Sequence, residues 1–381
     1  MSKPFRVLQI NSGSVNFGGV SSFLYNIYTH IDREKVQFDF LSPDKTTYEI
    51  HQSEITKMGG RIYEFGIKGN ILSRKLKLYS KLKNFLMENN YRIVHINSGN
   101  FFFNLFVSAA VKKAGVPVRI IHSHNAGDTC GTLKRITFRI LKPVMEKNAT
   151  DFFACSKLAA EYMFTEKTVK SGKVTVIPNG IDTSKFSYNE TIRTEMRRKL
   201  RLEDKFVVGN VARFMPQKNH RFLIKVFEKV VKIQKNAVLL LIGQGELMGE
   251  IKALVHAKGL DKNVIFLGQR NDVEKLYQAM DVFVLTSFHE GFGIVTIEAQ
   301  TSGLHCVVSD NIPEEANVNK KMVRLPLTAS SRKWAEEILN ITEKRKDNSH
   351  IIENGGYGVQ KVADMMKDIY LNRISKRSKN A

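Results

Sequence analysis

Apolar residues in this chain come in short unbroken runs, each followed by a stretch where they recur every three or four positions. FRVLQIN (5–11), VQFDFL (36–41), RIYEF (61–65), YRIVHIN (91–97), VRIIHSHN (118–125), DFFACS (151–156) and KVTVIPNGID (173–182) form a first series rich in Val, Ile and Phe. That composition suits strands covered by helices on both faces. Helical spacing follows in VSSFLYNIYTHI (20–31), in NILSRKLKLYSKLKNFL (70–86) and from about Phe102 to Ala114. Pro178-Asn179-Gly180 is a turn signal, and the polar stretch Asp182 to Glu190 reads as a linker. A second series then begins: FVVGNVARF (206–214), AVLLLIGQG (237–245), NVIFLGQ (263–269), DVFVLTS (281–287) and HCVVSD (305–310). Helical patterns follow these at His220 to Gln234, Glu246 to Lys258, Asp272 to Met280 and Gly293 to Ser302, then a short turn at Pro313.

Strand and helix alternating in this way predict an α/β protein with two doubly wound parallel sheets. Length agrees, since 381 residues make two domains that can each bury a core. The expected boundaries are 1–180, 181–360 and a final segment 361–381. A helix from Gly355 to Leu371 runs into that last segment, which ends in the basic tail RISKRSKNA, and a return to the first domain is one route for it.

Charge changes the picture more than composition does. A formal net charge of +22 invites nucleic acid or an anionic membrane surface as partner. The excess is concentrated in residues 1–180, with 26 Lys and Arg against 13 Asp and Glu. There the helix over 70–86 carries Leu72, Leu76, Tyr79, Leu82 and Leu86 on one stripe, with Arg74, Lys75, Lys77, Lys81 and Lys83 between them. That is a basic amphipathic helix, read either as packing its Leu stripe on its own sheet or as also touching lipid. Aromatic residues are not interleaved with the basic run and no reader motif is present, which argues against nucleic acid. No apolar run reaches the length of a spanning helix, and MSKPFRVLQIN carries no cleavage signal. Three scattered cysteines, Cys130, Cys155 and Cys306, suit reduced thiols in a cytoplasm. The expected location is cytoplasmic, or peripheral on the cytoplasmic face of a plasma membrane.

The stretch with the most chemistry is HEGFGIVTIEAQTSGLHCVVSD (289–310). A strand delivers the chain into Glu290-Gly291-Phe292-Gly293, which opens a helix carrying a second carboxylate, Glu298. Strand ends and helix starts converge at such points, and unpaired backbone N–H groups there suit phosphate. Glu298 lies about 7–8 Å along the helix from Gly293, and its carboxylate suits a vicinal diol. Arg213 and Lys218, in ARFMPQKN after another strand, supply cations for a diphosphate. The first strand also ends in a Gly-rich turn, Ser12-Gly13-Ser14 to Gly18-Gly19, but lacks the GxGxxG spacing that a dinucleotide needs. His122 and His124 end a strand of the first series. No Asp-x-Asp and no His/Cys/Asp/Glu cluster with ligand spacing occurs, so metal-independent chemistry is expected, with no cofactor.

Taken together, the Gly-Gly turn, IPNGID, NVARFMPQKN and the Glu290/Glu298 pair resemble the retaining glycosyltransferases of family 4, and the likeness covers essentially the whole chain. It implies a GT-B fold, two Rossmann-like domains facing a deep interdomain cleft. It implies transfer of a sugar from a nucleotide-sugar substrate, with UDP favoured by its frequency in the family. The acceptor it implies is a glycan or polyprenyl-linked glycan, and HSHN (122–125) and SDNIPEE (309–315) resemble enzymes of capsule or exopolysaccharide synthesis. By that resemblance His124, Glu290, Arg213 and Lys218 are catalytic. Gly19, Arg213, Lys218, Arg270, Glu290, Gly291, Phe292, Gly293 and Glu298 hold the donor, Arg270 largely through its backbone. His305 stands where the family usually has proline and Thr301 where it usually has alanine. Other enzymes of the fold, a sugar epimerase or a glucan synthase, and a basic nucleic-acid-binding protein are the alternatives.

Overall fold

A computed structural model of the chain describes residues 3–12, 18–45, 48, 50–127, 132–341 and 343–378, with the side chains of 71, 72, 132–135, 377 and 378 set aside. In order come β1 (Phe5–Asn11), α1 (Gly19–His30), β2 (Val36–Ser42), α2 (Gln52–Lys57), β3 (Arg61–Glu64), α3 (Ile71–Asn89), β4 (Ile93–Asn97), α4 (Phe101–Lys113), β5 (Val118–Ser123), α5 (Thr132–Glu146), β6 (Asp151–Ala154), α6 (Lys157–Met163), α7 (Glu166–Lys170) and β7 (Val174–Val176). Then follow α8 (Thr183–Phe186), α9 (Glu190–Leu200), β8 (Phe206–Val211), α10 (His220–Ile233), β9 (Ala237–Ile242), α11 (Met248–Ala257), β10 (Val264–Gly268), α12 (Val273–Ala279), β11 (Val282–Leu285), α13 (Ile294–Thr301), β12 (His305–Ser309), β13 (Met322–Leu325), α14 (Ser331–Leu339), α15 (Ser349–Ile352) and α16 (Val359–Ser378). The chain divides into two compact units, residues 1–180 with 359–381, and residues 181–358.

Each unit is a doubly wound α/β layer structure. The first has seven parallel strands in the order β3-β2-β1-β4-β5-β6-β7, and the second six in the order β10-β9-β8-β11-β12-β13. Strands such as AVLLLI of β9 and IVHIN of β4 are buried along their whole length, because helices cover both faces. Helix starts are set locally. Asn70, Asn100, Ser156 and Asn189 each accept a hydrogen bond from a first-turn N–H of the helix that follows. The core of unit 1 joins Phe23, Phe38 and Phe40 to Val362, Met366 and Tyr370 of α16, so the last helix is part of that unit's packing. In unit 2, Phe227, Leu239, Val284 and Trp334 belong to one cluster.

Four details differ from the sequence expectation. Met322–Leu325 is a sixth strand of unit 2, obscured in the sequence by Lys320, Lys321 and Arg324 around its few apolar positions. The expected linker 182–190 contains α8, whose first turn is capped by Asp182 accepting from Lys185 N at 3.2 Å. The final helix starts at Val359, after a turn in which Gly356 has φ 88°, and continues to Ser378. In α3 the buried line is Leu78, Leu82 and Leu86, while Leu76 is 59% exposed. The helix is rotated from the expected stripe because Leu78 belongs to the same i, i+4, i+8 row as Leu82 and Leu86.

Sheet order fixes where a ligand can enter unit 2. Between β8 and β11 the order reverses, and the parallel pairing there covers only Val208 with Val282 and Gly209 with Phe283. Beyond it the Asn210 side chain takes over, donating to Val284 O at 2.8 Å. The carboxyl ends of the two strands therefore diverge into separate loops, the usual origin of a ligand crevice in an open α/β sheet.

The loop after β8 is held by glycines of its neighbour. A Cβ on Gly243, whose φ is +135°, would come within 2.1 Å of Ala212 O, and one on Gly245 within 2.3 Å of Phe214 O. Gly249 in α11 has open space around it. Gly243→Ala should therefore destabilise unit 2 by roughly 2–5 kcal/mol, whereas Gly249→Ala should be neutral or gain up to about 1 kcal/mol from helix propensity. Urea unfolding of the two variants checks this, and similar midpoints would contradict it.

Candidate functional site

The loops that leave β8 and β11 are tied to each other by side chains and backbone alike. After β8 the chain passes Arg213, makes a 3-10 turn over Pro216–Lys218 and bends at Asn219, φ 51°, into α10. After β11 it runs through Thr286, Ser287 and Glu290 to Gly293, φ 79°, which caps α13 in the left-handed conformation. Phe288 N donates to Gln217 O at 2.8 Å, Gln217 Nε2 to His289 O at 2.7 Å, and Thr286 Oγ1 to Asn219 O at 3.1 Å. Ser309 Oγ, at the end of β12, donates to Ser287 O at 2.6 Å.

Across this junction Lys218 Nζ meets Glu290 Oε1 at 2.5 Å, and Ser287 Oγ donates to the same oxygen at 2.6 Å. Glu290 is buried, so its charge is balanced by a directed ammonium and a hydroxyl and not by water. Neither contact reaches Oε2. Arg213 is exposed and makes no side-chain hydrogen bond or ion pair with another described residue. Two cations and one buried carboxylate thus border the crevice, with the first turn of α13 adding unpaired N–H groups.

Glu298, one turn into α13, is half-buried, and the Tyr277 hydroxyl of α12 lies 2.9 Å from its Oε2 and 3.2 Å from Val295 O. Burial pushes the Glu298 carboxyl up to about 7, against the lowering effects of the Tyr277 hydrogen bond and Lys185. It changes charge near neutrality, which a carboxylate on an open surface does not.

The remaining expected residues are distributed less uniformly. Gly291 and Phe292 are buried in the turn before α13, and the Phe292 ring stacks on Tyr357 at 5.3 Å, so only its backbone is offered to a ligand. Arg270 is held by Asp272 in a bidentate pair at 2.8 and 2.7 Å, so its guanidinium is already engaged. His124 and Gly19 belong to unit 1. His124 follows β5, half-buried, with Nε2 3.2 Å from Asn97 Oδ1 and its ring 4.0 Å from that of His122. Gly19 is the exposed first residue of α1, and the turn residues 13–17 before it lie outside the described residues.

The two departures from the family pattern both find local partners. Thr301 Oγ1 donates to Ile297 O at 2.8 Å within α13. His305 opens β12 at its amino end, with Nε2 3.7 Å from Glu343 Oε2, on the side of the sheet away from the strand ends that carry Glu290.

Ser287, Tyr277, Asn210, Gln217 and the pair Gly243 and Gly245 were not singled out from sequence. The Gly-Gln-Gly spelling at a strand end was a usable signal for a close backbone approach. Tyr277 and Asn210 had none, since their roles come from pairing across the fold. Among the described residues no group of three or more His, Cys, Asp or Glu could hold a metal ion, and no helix is long and apolar enough to cross a membrane.

Comparison with known proteins matches the chain to a family. Residues 192–356 match the model described as glycosyl transferases group 1, and residues 17–185 that of glycosyltransferase family 4. A Bacillus subtilis (strain 168) chain named as a glycosyltransferase, EpsF, is 33% identical over 376 residues, covering 96% of both chains. The Escherichia coli UDP-Gal:alpha-D-GlcNAc-diphosphoundecaprenol alpha-1,3-galactosyltransferase is 27% identical over 319 residues, covering 80% of this chain and 81% of the other. The fold is similar to that of Anabaena HepE, crystallised with UDP and glucose, with a TM-score of 0.74 at 19% identity over 95% of this chain and 98% of that one.

The Glu298 shift has a signed consequence for stability. Its folded value of about 7 lies above the ordinary 4.5. Its stabilising contribution is therefore fully present below about pH 4.5 and is lost as pH rises through about 7. Glu298→Gln does not ionise, so its unfolding midpoint should gain on the wild type between about pH 5 and about pH 8. Thermal melts of the two proteins across that range would contradict the account if they ran parallel.

Proposed function

We propose a donor, an acceptor and a stereochemical course for this chain, which belongs to the group 1, family 4 glycosyltransferases and is a sugar-transferring enzyme. The donor is a UDP-sugar, the acceptor a hydroxyl of a glycan or polyprenyl-linked glycan, and the pathway the synthesis of bacterial surface polysaccharide. The observation that carries this reading is the junction of Lys218, Ser287 and Glu290 at the reversal of strand order, with Arg213 exposed beside it and Glu298 one turn into α13. The E. coli relative, named for UDP-Gal and a diphosphoundecaprenol-linked acceptor, supports the donor and acceptor class.

In this reading Arg213 and Lys218 face the diphosphate and stabilise the charge that builds on it as the sugar leaves. Glu298 accepts hydrogen bonds from the ribose diol, and Arg270 meets the base through its backbone. Glu290 offers Oε2 to a hydroxyl of the donor sugar, with the N–H groups of Gly291, Phe292 and Gly293 beside it. Gly19 lets backbone approach the phosphates, and His124 meets the reacting sugar hydroxyls. The C1–O bond to the diphosphate breaks through an oxocarbenium-like state while the acceptor oxygen bonds to C1 from the same face. The acceptor proton passes to the departing phosphate oxygen, so configuration is retained. Two cations make a metal unnecessary for the diphosphate.

For location we propose the surface of an anionic bilayer, met through α5 and not through α3. Leu78, Leu82 and Leu86 of α3 are buried. Four of its cations are engaged inside the chain: Arg74 with Asp44, Lys75 over the Phe102 and Phe106 rings, Lys77 with the Lys68 carbonyl and Lys81 over Phe65. On α5, by contrast, Ile136, Ile140 and Val144 are 51%, 65% and 49% exposed on one stripe, with Arg139 exposed on its flank and Lys147 exposed just past the helix end. Apolar residues flanked by cations match an anionic lipid surface.

Calorimetric titration with UDP in EDTA tests the donor site. Glu298→Gln should weaken UDP and UDP-sugar alike by roughly tenfold or more, while Glu290→Gln should keep UDP affinity and lower turnover by roughly a hundredfold. Unchanged affinity in Glu298→Gln removes the ribose role, and activity that EDTA abolishes and Mg²⁺ or Mn²⁺ restores removes the metal-independent one. Sedimentation with anionic vesicles should capture the wild type and release an Ile136→Ser/Ile140→Ser variant. Equal capture of both sets the α5 face aside.

A further inference from the structure

Polar residues at the carboxyl ends of β1, β4 and β5 form a continuous hydrogen-bond chain inside unit 1 that ends on the last helix. His124 Nε2 lies 3.2 Å from Asn97 Oδ1, Asn97 Nδ2 donates to Gln9 Oε1 at 2.9 Å, and Gln9 Nε2 donates to the Tyr370 hydroxyl at 3.1 Å. That hydroxyl lies 2.7 Å from His95 Nδ1. Asn97, Gln9, His95 and Tyr370 are all buried, so water does not rearrange the order.

The chain has one polarity. Asn97 Nδ2 also lies 3.3 Å from the main-chain carbonyl of His95, a contact favourable only for an N–H, and this fixes which way the amide faces. Its oxygen then points at His124, which must carry its proton on Nε2. Its nitrogen points at Gln9, which must turn its own amide nitrogen to Tyr370. The Tyr370 hydroxyl accepts that bond and has its single proton left for His95 Nδ1, so His95 is also an Nε2–H imidazole. That N–H has no partner among the described residues and lies in a ring stacked at 5.2 Å on His122.

We infer that Asn97 is a positioning residue: anchored through Nδ2 on the His95 carbonyl and on Gln9, it holds His124 as the neutral Nε2–H tautomer, presenting Nδ1 as an acceptor for a hydroxyl. The inference rests on the proposed role of His124 at the reacting sugar hydroxyls. A neutral imidazole fixed in this way accepts a hydrogen bond at Nδ1 and does not donate one there. Packing holds the ring in place, with His122 at 4.0 Å and Phe23 of α1 at 5.2 Å. Burial pushes the His124 imidazole down to about 3, and its titratable neighbours His122 and His95 are held neutral by burial as well. Tyr370 is driven well above its ordinary value and stays a phenol, able to donate. Phe23, facing from α1, brings no charge. The return of the last helix to unit 1 is what delivers this hydroxyl to Gln9.

The test is the nitrogen spectrum of the full chain labelled with ¹⁵N-histidine, with His124 assigned by the signal lost in His124→Gln. At about pH 7 and about pH 5, His124 should show a protonated Nε2 and an unprotonated Nδ1. In Asn97→Leu both tautomers should appear, with kcat down roughly tenfold and the donor KM moved less than about twofold, as for other orienting partners of a functional histidine. An Nδ1–H tautomer in the wild type, an imidazolium titrating near the ordinary histidine value, or a folded Asn97→Leu with wild-type spectrum and kcat overturns the inference. If Asn97→Leu does not fold, Asn97→Ser, whose short side chain cannot reach Nε2, takes its place under the same expectations. Should the tautomer behave as expected while His124→Gln transfers sugar at the wild-type rate, the positioning chain stands and the role of His124 in the reaction falls.

Discussion

Backbone pairing between β8 and β11 stops after two residues, and the candidate site depends on what replaces it. A parallel sheet cannot leave buried N–H and C=O groups unmatched, so side chains take over where the ladder ends. Asn210 bridges to Val284 O, Gln217 and Thr286 join the two loops, and Lys218, Ser287 and Glu290 close the junction with charge. The residues that hold the strands' ends together are thus neighbours of those available for a ligand. Glu290 shows the economy of this arrangement, since Oε1 serves the fold and Oε2 is left over.

The alternation of buried runs with helical patterns was enough to read two parallel sheets, because strands covered on both faces have little choice but Val, Ile, Leu and Phe. It failed at β13, where Lys320, Lys321 and Arg324 break the run, and on α3, where two apolar rows compete and only tertiary contact selects Leu78 over Leu76. Glu290 and Glu298 stand out in the sequence beside Gly291 and Gly293, and Arg213 and Lys218 as cations just after an apolar run. The direct contact of Lys218 with Glu290 does not, since it spans 72 residues of sequence. Tyr277 beside Glu298 and Tyr370 beside Gln9 were hidden for the same reason. The Arg270 side chain is occupied by its near neighbour Asp272, a pairing two residues apart.

Both units place polar side chains at the carboxyl ends of otherwise apolar strands, but they use them differently. In unit 2 Lys218 and Glu290 pair their charges at the strand ends, with Arg213 exposed. In unit 1, Gln9, His95, Asn97 and His122 are uncharged and fully enclosed, and His124 beside them reaches a half-exposed position. A charged site tolerates water and exchange of partners, whereas an enclosed chain of neutral groups has few alternatives and so imposes direction on its end member.

The central claim, retaining transfer from a UDP-sugar, is tested most directly by the anomeric proton of the product. The purified chain would be incubated in EDTA with a panel of α-linked nucleotide sugars and a polyprenyl-linked glycan acceptor, and the early product followed by NMR. The account predicts a single added residue, from a UDP-sugar, with the α coupling of the donor preserved. A β-linked product, a free epimerised sugar, a growing glucan, or turnover confined to another nucleotide would contradict it.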